Sequence, residues 1–379
     1  MNSEKTCFIL RISVFYLLST DVSHSWNLTS LNISDNVLIW RFTVWKNRAF
    51  LAIPRSASKK QEEWKPTLVE VSWPEINLPL NVANAIISPK PFPKSGSSKR
   101  DYETLISVTG LDVDARGRLW VLDTPNGYDR WPRIIIYDLK RNDRLVSFTE
   151  LTKVSSKYLK SLVIGPFEDQ WGFRGYIADA GDETIIVYSL GNSGLRKWWK
   201  LRMSHGPEIP RVQSTDLAVS RMNSILYMTG HNSHDLFSIN LDRIRTDKLL
   251  RTSSRVLQNV TVTWLGKKLG SSVGLFSDLK DGLHYFMTSE RASVRWDTKL
   301  PLNVNYLIQS PLKFQAQSHS VLVQNDDVPC ITDYIMDARK NVWGLVNSKC
   351  PGATKEETSS NSTLKSRTIK IQKYSFAMQ

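Results

Sequence analysis

An all-β fold, a six-bladed β-propeller, is what this sequence predicts, and three observations predict it. Short runs of alternating apolar residues are separated by polar turns. One hairpin pattern returns along the chain at intervals of roughly 50–60 residues, the period of propeller blades. The chain has 379 residues, 41% of them hydrophobic, with 13 Trp, 12 Tyr and 13 Phe, enough to fill a large core.

The repeat is legible in the residues. Leu111–Asp114 leads through Ala115–Arg118 into Leu119–Thr124, and Tyr334–Asp337 leads through Ala338–Asn341 into Val342–Asn347. Thr215–Val219 with Leu226–Gly230, and Val273–Asp278 with His284–Thr288, follow the same course, and Gly175–Asp179 ends a weaker copy. Each is strand, polar turn, strand. A third strand follows at Ile134–Leu139, Thr184–Leu190 and Asp235–Leu241, which makes an antiparallel meander. Phe50–Arg55 followed by Thr67–Val71 supplies the first unit. Ring closure is expected from a strand near Val37–Phe42 or from Thr368–Gln372. Ser88–Arg100 and Ala353–Ser366 read as a long exposed loop and a polar linker.

Residues 1–25 read as a signal peptide, leaving 26–379 as a single propeller domain. Met1–Lys5 is polar, Cys7–Leu18 is apolar, and Ser23–Ser25 offers small residues for cleavage. The apolar run is shorter than a membrane-spanning helix requires. The reading is therefore of a secreted, extracellular glycoprotein, with N-x-S/T sequons at Asn27, Asn32, Asn259 and Asn361. In that compartment Cys330 and Cys350 are expected to form a disulfide. Their midpoint falls in the Ala338–Asn341 turn, which would place them across a hairpin from each other.

Net charge is +14, from 50 basic and 36 acidic residues. The excess is spread along the chain without a basic arm or nucleic-acid motif, so an anionic extracellular matrix is a better expected partner than nucleic acid. No cofactor, metal or catalytic motif stands out. Gly270–Gly274 fits G-x-S-x-G, but it enters a hairpin rather than the strand-to-helix elbow a nucleophile needs. His231 and His234 read as a surface loop.

The repeat marks a candidate site. Thr109–Gly110, Thr215–Asp216, Val273–Gly274 and Thr332–Asp333 occupy equivalent places on strands that would line a channel. Two carboxylates and three hydroxyls at one level suit a small polar or cationic ligand. The same residues could instead cap strand ends and satisfy backbone groups.

LDVDARGRLWVLDT at Leu111–Thr124 resembles the yellow / major royal jelly protein family, as do FLAIPR at Phe50–Arg55, YIAD at Tyr176–Asp179, IIVYSL at Ile185–Leu190 and RWD at Arg295–Asp297. The resemblance implies a secreted six-bladed propeller with a role in cuticle, eggshell, pigmentation, nutrition or a secretion. Many members carry cysteines after LDT, before YIAD and before Trp-Asp, and this sequence has none there. Salivary members bind biogenic amines at the channel mouth, and Thr332 and Asn347 match two of their pocket positions. An aromatic residue of that pocket is Lys349 here, which disfavours an ammonium ligand. Other members are credited with converting dopachrome, for which Asp216 or Asp333 would be the acid/base group. The expectation is a non-catalytic binding or structural protein with ligand contacts at Thr109, Thr215, Asp216, Thr332, Asp333 and Asn347. The alternative is a dopachrome-converting tautomerase.

Overall fold

Runs rich in Val, Ile and aromatic residues satisfy their backbone by pairing with the run that follows. A computed structural model describes residues 23–34, 37–55, 65–73, 88–94, 105–169, 172–191, 196–245, 258–302, 318–351 and 365–375. β2 (Arg41–Trp45), β3 (Arg48–Ala52), β4 (Leu68–Ser72) and β5 (Lys90–Pro91) pair in chain order as one antiparallel meander. β6 (Val108–Val113), β7 (Arg118–Asp123), β8 (Arg133–Asp138) and β9 (Arg144–Glu150) repeat it. So do β10 (Leu159–Ile164), β11 (Phe173–Asp179), β12 (Thr184–Leu190) and β13 (Arg196–Ser204).

The next meander is β14 (Asp216–Val219), β15 (Ile225–Thr229), β16 (Ser233–Asn240) and the first part of β17 (Gln258–Ser277). β17 continues, and its last residues pair with β18 (Gly282–Met287), which leads to β19 (Ala292–Asp297) and β20 (His319–Gln324). β21 (Cys330–Met336), β22 (Asn341–Asn347) and β23 (Arg367–Lys373) form the last sheet, completed by β1 (Ser23–Ser25) on the edge of β23. The inner strands β2, β6, β10, β14, β17 and β21 neighbour one another in a closed cycle. Among the described residues, α-helix is confined to the turn Asp242–Arg245 and to Ser318.

The structure refines three sequence readings. Of the two expected closures, Thr368–Gln372 lies within β23, which pairs with β22 and takes Ser23–Ser25, at the end of the segment read as a leader, on its edge; Arg41 and Phe42 instead open β2. Lys90–Pro91 is not loop but the outer strand of the first meander, and Phe92 is buried between Phe50 and Tyr137, 5.1 Å from each ring. Cys330 lies opposite Asn347, and Cys350 reaches it from the turn beyond β22, giving a disulfide with Cα atoms 5.2 Å apart. Residues 1–22, Asn361 and most of the 353–366 linker fall outside the described residues.

One turn device recurs. The Asp114, Asp278 and Asp337 carboxylates each accept the amide N–H groups two and four residues on: Arg116 and Arg118, Lys280 and Gly282, Arg339 and Asn341. The second oxygen of each meets the ring nitrogen of the residue six places on: Trp120 at 2.9 Å, His284 at 3.0 Å and Trp343 at 2.8 Å. The intervening Gly117, Asp281 and Lys340 adopt left-handed φ of 78°, 58° and 65°, which lets the chain reverse around the carboxylate. The hairpin turn is thereby tied to an aromatic ring of the second strand. Those rings pack the meanders together: Trp120 stands edge-on to Tyr188, and Trp343 edge-on to Trp73 of the first meander.

Candidate functional site

The inner strands carry three carboxylates that bridge to the next inner strand. Asp112 accepts from the Ile164 amide at 2.7 Å, Asp216 from Gly274 at 3.1 Å and Asp333 from Phe42 at 3.0 Å. Each therefore satisfies a backbone donor that the neighbouring sheet cannot. Arg41, at the start of β2, reaches across and binds two of them, with Nη2 2.5 Å from Asp216 and Nη1 3.3 Å from Asp333. It also donates to the carbonyls of Thr332, Lys160 and Thr215. Trp40 lies beside it, its indole N–H bonded to the Lys160 carbonyl and its ring 5.5 Å from the Arg41 guanidinium carbon.

These neighbours set the protonation states. Burial disfavours the Asp216 carboxylate, but His231 and Arg41 outweigh it and hold its pKa well below the usual range. Burial dominates at Asp333, which rises to about 6 despite Arg41 and the Phe42 amide. Asp112 is likewise pushed up by burial to about 6, against the Ile164 and Val113 amides.

The sequence-predicted residues separate into groups. Thr332 and Asn347 bond each other at 2.7 Å, and together they hold the backbone N–H and C=O of Ile39. Asp216 and Asp333 flank Arg41 two residues further on. Thr109 lies apart, accepting from the Thr124 hydroxyl. Thr215 accepts from the His231 amide at 2.7 Å. Lys349 is exposed.

Arg41, Trp40 and His231 complete the site and are not among those predictions. His231, read from sequence as part of a surface loop, brings Nε2 to 3.2 Å from the Asp216 carboxylate and sets its ring edge-on to Trp40, centroids 5.2 Å apart. The buried acidic steps were the available signal, since two carboxylates at one level call for a cation. His234 is exposed, and among the described residues no three His, Cys, Asp or Glu side chains gather as a metal site would require. Ser272 of G-x-S-x-G is buried inside β17.

Beside the Arg41 network lies a cavity of about 370 Å³, between the third and fourth meanders. Tyr158, Arg211, Gln213, Ser214, Thr215 and His231 form most of its wall. Of the predicted ligand residues, Thr215 alone is part of it.

Asp112 yields a pH prediction. Its folded pKa of about 6 lies above the ordinary 3.8, so the folded protein takes up this proton more readily than the unfolded chain. Stability should therefore rise as pH falls from 7.5 through 6 toward 4. Asp112→Asn removes the charge and keeps an acceptor for the Ile164 amide, but its NH2 then faces the Val113 amide that the other oxygen held. We expect it to reduce the pH dependence, with Asp333 supplying the remainder. Urea unfolding midpoints at pH 5 and 7.5 check this; an unchanged slope in the variant would refute it.

These elements define an all-β, β-propeller-like protein with a polar network between its inner strands. The chain belongs to the major royal jelly protein family, whose model, "Major royal jelly protein", matches residues 106–363. No curated protein matches the chain. Similar solved structures include a luciferin-regenerating enzyme, 10% identical, covering 92% of this chain and 94% of that one at a TM-score of 0.47. A streptogramin B lyase is 10% identical over 93% and 98%, TM-score 0.45, and virginiamycin B lyase from Staphylococcus aureus is 11% identical over 85% and 80%, TM-score 0.45. No helix of the described residues is long and apolar enough to cross a membrane.

Proposed function

We propose that this is a secreted six-bladed propeller that binds a small extracellular ligand without transforming it, in the cavity beside the channel mouth. The carrying observation is the cavity of about 370 Å³ lined by Thr215 and His231, next to the Trp40 and Arg41 network. In this reading Thr215 contacts the ligand directly and Asp216 acts through His231. Thr109, Thr332, Asp333 and Asn347 frame the ring. A leader over residues 1–25 and N-glycosylation at Asn27, Asn32, Asn259 and Asn361 belong to the same proposal. Exposure of Asn27, Asn32 and Asn259 supports it. Loss of the leader would take β1 with it and leave β23 as a sheet edge. The family supports a role in cuticle, eggshell, pigmentation or a secretion, where an anionic matrix would attract the basic surface.

The test is a thermal-stability and fluorescence titration of the purified protein with catechol and indole ligands. We expect saturable binding that Gln213→Trp, a bulky side chain at an exposed wall position, abolishes. Binding indifferent to Gln213→Trp would place the ligand elsewhere. A second reading, dopachrome conversion, is favoured by the His231–Asp216 contact, in which a buried carboxylate orients an imidazole at a cavity wall. Turnover of dopachrome that disappears in His231→Asn would replace the first reading by the second.

A further inference from the structure

We propose that the cavity between the third and fourth meanders selects a small planar carboxylate and rejects ammonium ligands; this rests on the reading of that cavity as the ligand site. The charge of its wall carries the argument. No lining residue is acidic, and Arg211 is the lining side chain with a permanent charge. Asp216, behind His231, is fully buried, and its oxygens are already taken by Arg41, His231 and the Gly274 amide. An ammonium group in the cavity would meet no lining carboxylate, and Glu183 behind the wall is already engaged by the Val212 amide and Arg211. Arg211, by contrast, makes no hydrogen bond with the described residues, and its ionic neighbour there is Glu183, 3.8 Å from Nε. A guanidinium so placed retains donors for a carboxylate.

The rest of the wall adds shape. The Ser214 hydroxyl is buried beneath it without a hydrogen-bond partner. Tyr158 supplies a flat face, and Gly181 is what permits its position: a Cβ there would fall 2.3 Å from the Tyr158 ring. Gly230 does the same for Gln213, whose Oε1 would lie 2.1 Å from an added Cβ. The volume suits one fused ring with a short side chain.

Three probes sharing one ring test the selection: indole-3-acetate, 3-methylindole and tryptamine, titrated by calorimetry into the full chain. Indole-3-acetate should bind at least about tenfold more tightly than tryptamine. Arg211→Gln should remove that advantage while leaving 3-methylindole unchanged. Arg141→Gln, with the same loss of charge at an exposed site in another meander, should change nothing. Tryptamine binding as tightly as indole-3-acetate would overturn the inference, as would equal effects of Arg211→Gln and Arg141→Gln, which would trace to net charge. If tryptamine or 3-methylindole is preferred and Gln213→Trp abolishes its binding, the cavity remains the ligand site and the carboxylate selection falls. No binding of any probe at millimolar concentration would remove both.

Discussion

Arg41→Ala should cost roughly 3–5 kcal/mol of stability, the usual penalty for removing one partner of a buried ion pair. Asp216 and Asp333 would be left facing each other in the ring with no cation between them. Asp216 is fully buried, so water cannot replace the guanidinium without opening the inner strands. Carbonyls of Thr332, Lys160 and Thr215 would lose a donor in the same step. Adding Asp216→Asn and Asp333→Asn to Arg41→Ala should recover part of the loss, because the residual cost is that of the stranded charges. Equilibrium urea unfolding of the single and triple variants measures both effects. A loss under about 1 kcal/mol in Arg41→Ala would mean that the pair is solvated in solution, and the ring would then be open to a cationic ligand after all.

The strands were legible in the sequence because period-two alternation and polar turns are local properties. LDVDARGRLWVLDT contains a whole hairpin, the Asp114 turn and the Trp120 ring it binds. The β1 strand was not legible, since Ser23–Ser25 has no apolar alternation and derives its register from Arg367–Ile369 at the other end of the chain. Phe92 was missed for a related reason: a Pro- and Lys-rich stretch reads as loop unless the Phe50 and Tyr137 rings waiting for it are known. At the site, the ring of Thr and Asp residues followed from the repeat, but the repeat could not show what fills it. Arg41 lies 175 positions from Asp216, and no sequence motif of the repeat marks its strand as the one that supplies the cation. His231 does lie in the turn between β15 and β16, but its partner Asp216 comes from β14, which the local sequence does not show. The family motifs pointed to Thr332 and Asn347, whose polar atoms bond each other and Ile39 rather than line the cavity. The Asp112 bridge escaped notice because it sits two residues beyond the Thr-Gly step that aligned the copies.

Asp278→Ala should destabilise the protein by about 3–5 kcal/mol, and clearly more than Asp337→Ala, although both aspartates occupy the same turn of the repeat. The difference is in what the second oxygen holds. At Asp337 it accepts from neutral donors, Asn341 and Trp343. At Asp278 it accepts from His284, from Arg295 at 2.6 Å and from the Tyr374 hydroxyl. Burial opposes ionisation of Asp278, but His284, Arg295 and Tyr374 hold its pKa well below the usual range. Its contribution is therefore present above about pH 4 and lost on further acidification. Burial depresses the pKa of His284, against the pull of Asp278, so at neutral pH the imidazole is uncharged and donates through Nε2. Removing Asp278 would strand that donor in a fully buried position, beside an Nδ1 that already lacks a partner. It would also untie Tyr374, which anchors the chain just past β23, so amide exchange should accelerate in Arg367–Lys373 for Asp278→Ala and not for Tyr227→Phe, a ring in another meander. Denaturant midpoints and exchange rates of the two aspartate variants decide the matter. Equal losses at the two positions would show that the turn amides, common to both, carry the energy and that the Arg295–Tyr374 cluster adds nothing.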